Sequence, residues 1–437
     1  MNRHRTATLA IGVALITAAC GGATSADDDD DEPGATTPVS ADHSISPSDS
    51  TQPLDTSGGD TSGGDTSGGA TSGGADLVIA GAEDDRDDSL RGATDPWPTD
   101  WTTRTIELDE LRLGISARDP RDRIPPIDDP TFEPIAAATW LDRREPGALV
   151  QINDEVRFYP LSILSRHEIV NDRFGDLPVV VTFCPLCNTA ISFDARVDGQ
   201  VLRFGVSGLL RNSDLVMWDD ATTSLWQQIT GEAVVGEFAG TQLELIPTSI
   251  AAYGDVVENF PDAMSLSRET GFSIDYGANP YTSYSSSTSP FLFDGEPDPR
   301  FPALSRVVGV TLDDNEKAYP FDVLAVEPAV NDEVAGTPIA VFWGGETADA
   351  LDTRNIADGD AIGSGIAYDR RVGDQTLRFS PAGDDLFTDA ETASTWTLLG
   401  VAIDGPLAGE QLEVVTHRNE FWFAWAAFFP DAPVYGE

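Results

Sequence analysis

Arg157-Phe158-Tyr159-Pro160, followed by Leu161, Leu164 and Val170-Asn171-Asp172, recurs 160 residues later as Lys317-Ala318-Tyr319-Pro320, Phe321, Leu324 and Val330-Asn331-Asp332. Pro178-Val179-Val180-Val181 is answered by Pro338-Ile339-Ala340-Val341 at the same shift. Beyond that point the spacing drifts slowly. Phe193-Asp194 matches Tyr368-Asp369, Gln200 to Phe204 matches Gln375 to Phe379, Trp226 matches Trp396, and Phe260-Pro261-Asp262-Ala263 matches Phe429-Pro430-Asp431-Ala432. So many ordered matches point to an internal duplication. Within a copy the local signals are mostly those of strands. Residues 149–152 and 156–159 flank Asn153-Asp154 as a hairpin, and 191–195 and 201–206 flank Asp198-Gly199 as another. The run 179–183 reads as a strand buried on both faces. Further strands are expected at 215–218, 225–229, 233–238 and 243–246. Pro160 suits the first turn of a helix with Leu161, Leu164 and Ile169 inward, ending near Asn171. Thr248 or Ser249 would cap a second helix that Pro261 halts. The expected fold is α+β, mostly antiparallel β, in two degenerate pseudo-repeats of short strands with two helices each.

The second copy lacks three residues that bear chemistry. Cys184 faces Gly344, Cys187 faces Thr347 and His167 faces Glu327, while the packing residues around them survive. The cysteines are therefore not needed to make this fold, and Cys184-Pro185-Leu186-Cys187 becomes the candidate centre.

Thr182-Phe183-Cys184-Pro185-Leu186-Cys187-Asn188-Thr189-Ala190 is preceded by His167-Glu168-Ile169-Val170-Asn171-Asp172. It is followed by Phe204-Gly205-Val206-Ser207-Gly208, Asn212-Ser213-Asp214-Leu215-Val216-Met217 and Ser224-Leu225-Trp226-Gln227-Gln228. In order and spacing these motifs resemble the bacterial family labelled domain of unknown function 3179, over about residues 134–268. The resemblance implies no established activity. It does imply redox chemistry at the motif, where some members of that family place selenocysteine.

Three uses of the pair remain open. A redox dithiol, catalysing thiol–disulfide chemistry, needs a lowered thiol pKa, which a helical turn starting at Pro185 would favour. No βαβ alternation surrounds the pair, so the arrangement is not thioredoxin-like. A metal site for copper(I) or zinc would use Cys184, Cys187 and His167, with Met217 or Glu168 as a fourth ligand. Simple packing of helix on strand leaves His167 about 10 Å short of the sulfurs unless the loop 172–177 offsets the two. A fixed disulfide in a non-enzymatic binding protein is the third use, and so short a loop would contribute only about 2 kcal/mol. Ser207 lacks the spacing of a hydrolase nucleophile, and four histidines support no Ser-His-Asp set. His417 is expected to be exposed; Arg211, Asp214 and Asp219 could line a pocket beside the cysteines, but solvated loop charges are the favoured reading.

Outside this core the chain reads as an exported, anchored protein. Arg3 and Arg5, the apolar stretch 9–16 and Thr17-Ala18-Ala19-Cys20 resemble a bacterial lipoprotein signal, with lipid expected on Cys20. This implies a cell-membrane, extracytoplasmic location. Residues 21–100 hold an acidic run and four Thr-Ser-Gly-Gly repeats, and are expected to be a disordered tether with a reach on the order of 40 Å. Residues 101–275 form the first repeat, 276–300 an exposed connecting loop and 301–437 a second, degenerate repeat, a structural or partner-binding remnant. The net charge of −48, with Lys317 the only lysine, argues against nucleic acid as a partner. The membrane would be met only through the lipid, and a redox or metal-delivery protein is the expected partner.

Overall fold

The run Pro178 to Phe183 has no polar face to give to water, and the fold places it at the centre of a sheet. In the computed structural model, which describes residues 78–437, strand Leu177–Cys184 pairs antiparallel with Ile169–Phe174 on one side and Thr189–Asp194 on the other. Its residues from Pro178 to Cys184 are all buried. The signal segment, Cys20 and the stretch 21–77 lie outside the described residues.

Three sheets of four or five strands make up most of the first half. The strand order Leu245–Ile246, Thr189–Asp194, Leu177–Cys184, Ile169–Phe174 forms the central one. A second runs Thr248–Ala252, Pro146–Ile152, Glu155–Pro160, Met264–Leu266, Phe132–Pro134, with one parallel pair. The third runs Leu111–Leu113, Phe204–Arg211, Asp214–Asp219, Leu225–Gln227, Ala233–Val235. The second half lays out its strands in corresponding orders. Asn315–Pro320, Arg306–Leu312 and His417–Phe421 form one sheet, and Ala329–Val334, Thr337–Gly344, Ser364–Asp369 and Glu413–Val414 another. Phe379–Gly383, Leu386–Asp389, Thr395–Thr397 and Ala402–Asp404 form the last. The fold is α+β and mostly antiparallel, with helices Leu161–His167 and Tyr253–Asn259 in the first half and Phe321–Leu324 and Trp422–Phe428 in the second.

The residues shared by the two halves are the ones that tie strands together. The Tyr159 hydroxyl and the Arg157 guanidinium both donate to Asp172; Tyr319 donates to Asp332 at 2.9 Å and Lys317 at 2.7 Å. The side chain of Asn171 exchanges two hydrogen bonds with the backbone of Phe204, as Asn331 does with Phe379. The indoles of Trp226 and Trp396 donate to Asp219 and Asp389, each at 2.9 Å. Asp219 is thus a buried turn anchor, not a solvated charge.

Several local expectations change. The first helix stops at His167, because Glu168 adopts a left-handed conformation (φ 60°) and Ile169 begins a strand. The second is preceded by strand Thr248–Ala252 and starts only at Tyr253. The hairpin at Asp198-Gly199 is confined to Arg196–Val197 and Gln200–Val201, and Phe204–Arg211 leaves for another sheet. Residues 78–100, expected to belong to the disordered tether, are ordered. Asp87 caps helix Asp88–Thr94, and Leu90, Trp97 and Trp101 pack with Ile106, Leu108 and Val234, giving that acidic segment apolar area to bury.

Candidate functional site

Cys184 ends its strand opposite Thr189, so Pro185-Leu186-Cys187-Asn188 is the turn of a β-hairpin. Asn188 closes it with a left-handed φ of 56° and an N–H donated to the Pro185 carbonyl at 3.3 Å, a conformation asparagine adopts more readily than most residues. No helix follows the turn. The helix dipole that would lower a thiol pKa is missing, and the Cys187 thiol and N–H beside Cys184 offset burial only in part. Both cysteines are free thiols, 2% and 0% exposed. Burial pushes the Cys184 thiol up and the Cys187 thiol well up, and the nearby Asp214 adds to both effects.

Asp214, set aside in the sequence reading in favour of a solvated loop charge, is the third member of the cluster. It begins strand Asp214–Asp219 directly after the turn Asn212-Ser213, is fully buried, and brings a carboxylate oxygen to within 4.8 Å of both sulfurs, which are themselves within that distance of each other. Its Oδ2 accepts from the Gln227 amide at 2.6 Å and the Ile229 N–H at 3.0 Å. Its Oδ1 has no hydrogen-bond partner among the described residues. Burial raises this carboxyl to about 6, against the hydrogen bonds of Gln227 and Ile229. The available signal was an acid set at the head of the apolar run Leu215-Val216-Met217.

His167 does not join this cluster. The helix ends at His167 and the chain reverses at Glu168, so the imidazole is directed elsewhere: Nδ1 lies 2.6 Å from the Pro125 carbonyl and Nε2 2.7 Å from the Tyr276 hydroxyl. With both nitrogens engaged and the ring buried, which lowers its pKa, His167 is a structural histidine and its expected role as third ligand is corrected. Met217 follows Asp214 by three residues on one strand and so falls on the other face. Glu168 does approach. Its carbonyl accepts the Phe183 N–H at 2.8 Å, its carboxyl receives the Tyr281 hydroxyl at 3.1 Å, and burial raises that carboxyl to about 7. Arg211 is half-buried and pairs with Glu110 at 2.8 Å. Ser207 donates to the Val216 carbonyl inside a β-bulge.

Two further parts of the chain close the site. The segment expected to be an exposed loop lies against the cysteine turn: the Tyr284 hydroxyl donates to the Leu186 carbonyl at 3.0 Å, and Ser213 donates to the Phe291 carbonyl. The second half contributes the Phe421 N–H, donated to the Cys187 carbonyl at 3.0 Å. It also contributes Glu420, fully buried beside Arg418 at 3.3 Å and raised by burial to about 8. His417 is buried too, with its imidazole lowered to about 4, and not exposed as expected. The second half is thus part of the wall of the site.

Among the described residues no helix is long and apolar enough to cross a membrane. Comparison with curated proteins and with solved structures finds no match. A family model does match, over residues 121–432, a span that includes both halves and so extends well past the stretch whose motifs first suggested it. The chain belongs to the family described as "Protein of unknown function (DUF3179)".

Proposed function

We propose that Cys184, Cys187 and Asp214 hold a single borderline transition-metal ion, with zinc preferred to copper(I). The observation that carries this reading is the convergence of two buried sulfurs and a buried carboxylate with one oxygen unpartnered. An orphaned buried carboxylate oxygen is costly, and a bound cation would satisfy it. Two thiolates alone suit copper(I), whereas the added hard oxygen shifts the preference toward zinc. Three protein donors leave a fourth position open, as in catalytic zinc sites rather than structural ones. In this reading the body stands outside the membrane, held through lipid on Cys20 and the stretch that precedes residue 78, and receives its metal from a delivery protein.

A dithiol that cycles to a disulfide is the second reading, favoured by the two sulfurs lying together in one hairpin turn. Closing it forms one S–S bond and passes two electrons and two protons to an acceptor disulfide, with Asp214 placed to take a proton. Burial of both sulfurs and their raised pKa values weigh against it.

Metal analysis of protein purified under reducing conditions and incubated with zinc tests the proposal. One zinc per chain is expected, none after C184S/C187S, and after Asp214→Asn binding weaker by at least the roughly 10- to 100-fold that loss of an outer partner of a metal ligand costs. No uptake of zinc or copper(I), together with a reversible disulfide, would replace it with the second reading.

A further inference from the structure

Beside the thiol cluster, the segment from Tyr281 to Phe291 roofs a cavity of about 510 Å³, within the range of small-molecule sites. The cysteines do not line it. Their neighbours do: Leu186 lies between them in sequence, and Leu215 follows Asp214. Most of the remaining wall is apolar, including Ile115, Ile124 and Leu209. Among its lining residues Glu168 alone bears an acidic or basic side chain.

Glu168 is built into this place. Its left-handed backbone turns the chain between helix and strand, and its residue surface is only 7% exposed. One carboxyl oxygen accepts from Tyr281 at 3.1 Å, and no basic side chain pairs with the group among the described residues. A lone carboxylate buried at the wall of a largely apolar cavity is stabilised by a cation that enters with it, and less by a neutral or anionic guest. The aromatic residues Tyr281, Tyr284 and Phe291 also line the cavity, and a ring face met by the ligand would favour a cation further. The net charge of −48 raises the local concentration of cations without selecting among them. Selection would come from the enclosure.

We infer that this cavity binds a small organic amine, with an apolar aromatic or aliphatic body against the leucine and isoleucine wall and its ammonium group on Glu168. The site needs no metal, so the inference goes beyond the proposed metal centre and stands apart from it.

Calorimetric titration of the metal-free, reduced protein with 4-phenylbutylamine, 4-phenylbutan-1-ol and 4-phenylbutanoate is the test, run at about 150 mM salt so that diffuse attraction to the acidic surface is screened. The amine should bind at least ten-fold more tightly than the alcohol or the carboxylate. Glu168→Gln should remove that preference. Ile115→Trp, on a loop at the cavity wall, should block all binding without changing charge, and serves if Glu168→Gln does not fold. The C184S/C187S protein should bind the amine as the wild type does while losing zinc, so that either reading can fail alone. Absence of amine binding, equal affinity for the three probes, or full binding by both Glu168→Gln and Ile115→Trp would overturn the inference.

Discussion

At the scale of single residues, the chemistry of Cys184 and Cys187 is set by what burial does to a proton. Both thiols are held protonated at neutral pH, and Asp214 keeps its proton up to about 6. A metal that binds as thiolate and carboxylate must displace those protons. Zinc uptake should therefore release about two protons per chain at pH 7.5 and a larger number near pH 5.5, with affinity rising as pH rises. Calorimetry in buffers of different ionisation enthalpy reads this count, and a release below one proton would show that the sulfurs are not the ligands. The position of the cysteines was legible in the sequence, because a strand end followed by a turn is a local signal. Their third partner was not. Asp214 is 27 residues beyond Cys187, and only the packing of one sheet against another brings it to the sulfurs. His167 is far closer in sequence, yet one left-handed residue directs it away.

At the scale of elements, the segment around Tyr284 holds the cysteine turn in place. The Ser and Thr content of 281–290 reads as a solvated loop, but its tyrosines carry the contacts and they anchor it. Tyr284→Phe removes the bond to the Leu186 carbonyl at little cost to the core. Alkylation of Cys184 and Cys187 by iodoacetamide should become several-fold faster while the melting temperature moves by no more than a few degrees. Unchanged labelling would mean that this segment does not guard the thiols. Gly208 makes a second test. At φ 78° in the bulge, a Cβ there would lie 2.6 Å from the Cβ of Pro120. Gly208→Ala should cost about 1–3 kcal/mol, combining backbone strain with overpacking, and denaturant titration measures it.

At the scale of the whole molecule, the site belongs to both halves. Arg144 of the first half donates to the carbonyls of Glu346 at 3.0 Å and Gly359 at 2.9 Å, and Arg418 of the second donates to the Ile229 carbonyl at 3.1 Å. The join also stores titratable groups. Glu168 and Glu420 are raised by burial to about 7 and about 8, above the ordinary carboxylate value of 4.5. Below 4.5 these groups are protonated in the folded and unfolded chain alike. As pH rises above that value the unfolded chain loses protons that the folded chain keeps, so the pair's contribution to stability declines until pH passes about 8. His167 and His417, whose pKa values are lowered, act in the opposite direction below about 6.5. Stability of the metal-free protein should therefore fall between pH 6.5 and 9. Glu420→Gln should flatten that slope, as read from melting temperatures across the range, and a slope unchanged by the substitution would remove Glu420 from the account.

By itself the sequence determined the α+β, mostly antiparallel character, the central strand and the place of the two cysteines at its end. It also determined the family, through motifs in a fixed order. These are local properties of period, turn chemistry and spacing, and they survive small errors in element boundaries. Only the tertiary structure decided what surrounds the thiols: Asp214 in place of His167, Glu168 opened toward a cavity, and Glu420 and Phe421 brought from the second half. The physical reason is that a strand's faces follow from its own residues, whereas convergence depends on how sheets pair and on where a single left-handed residue turns the chain.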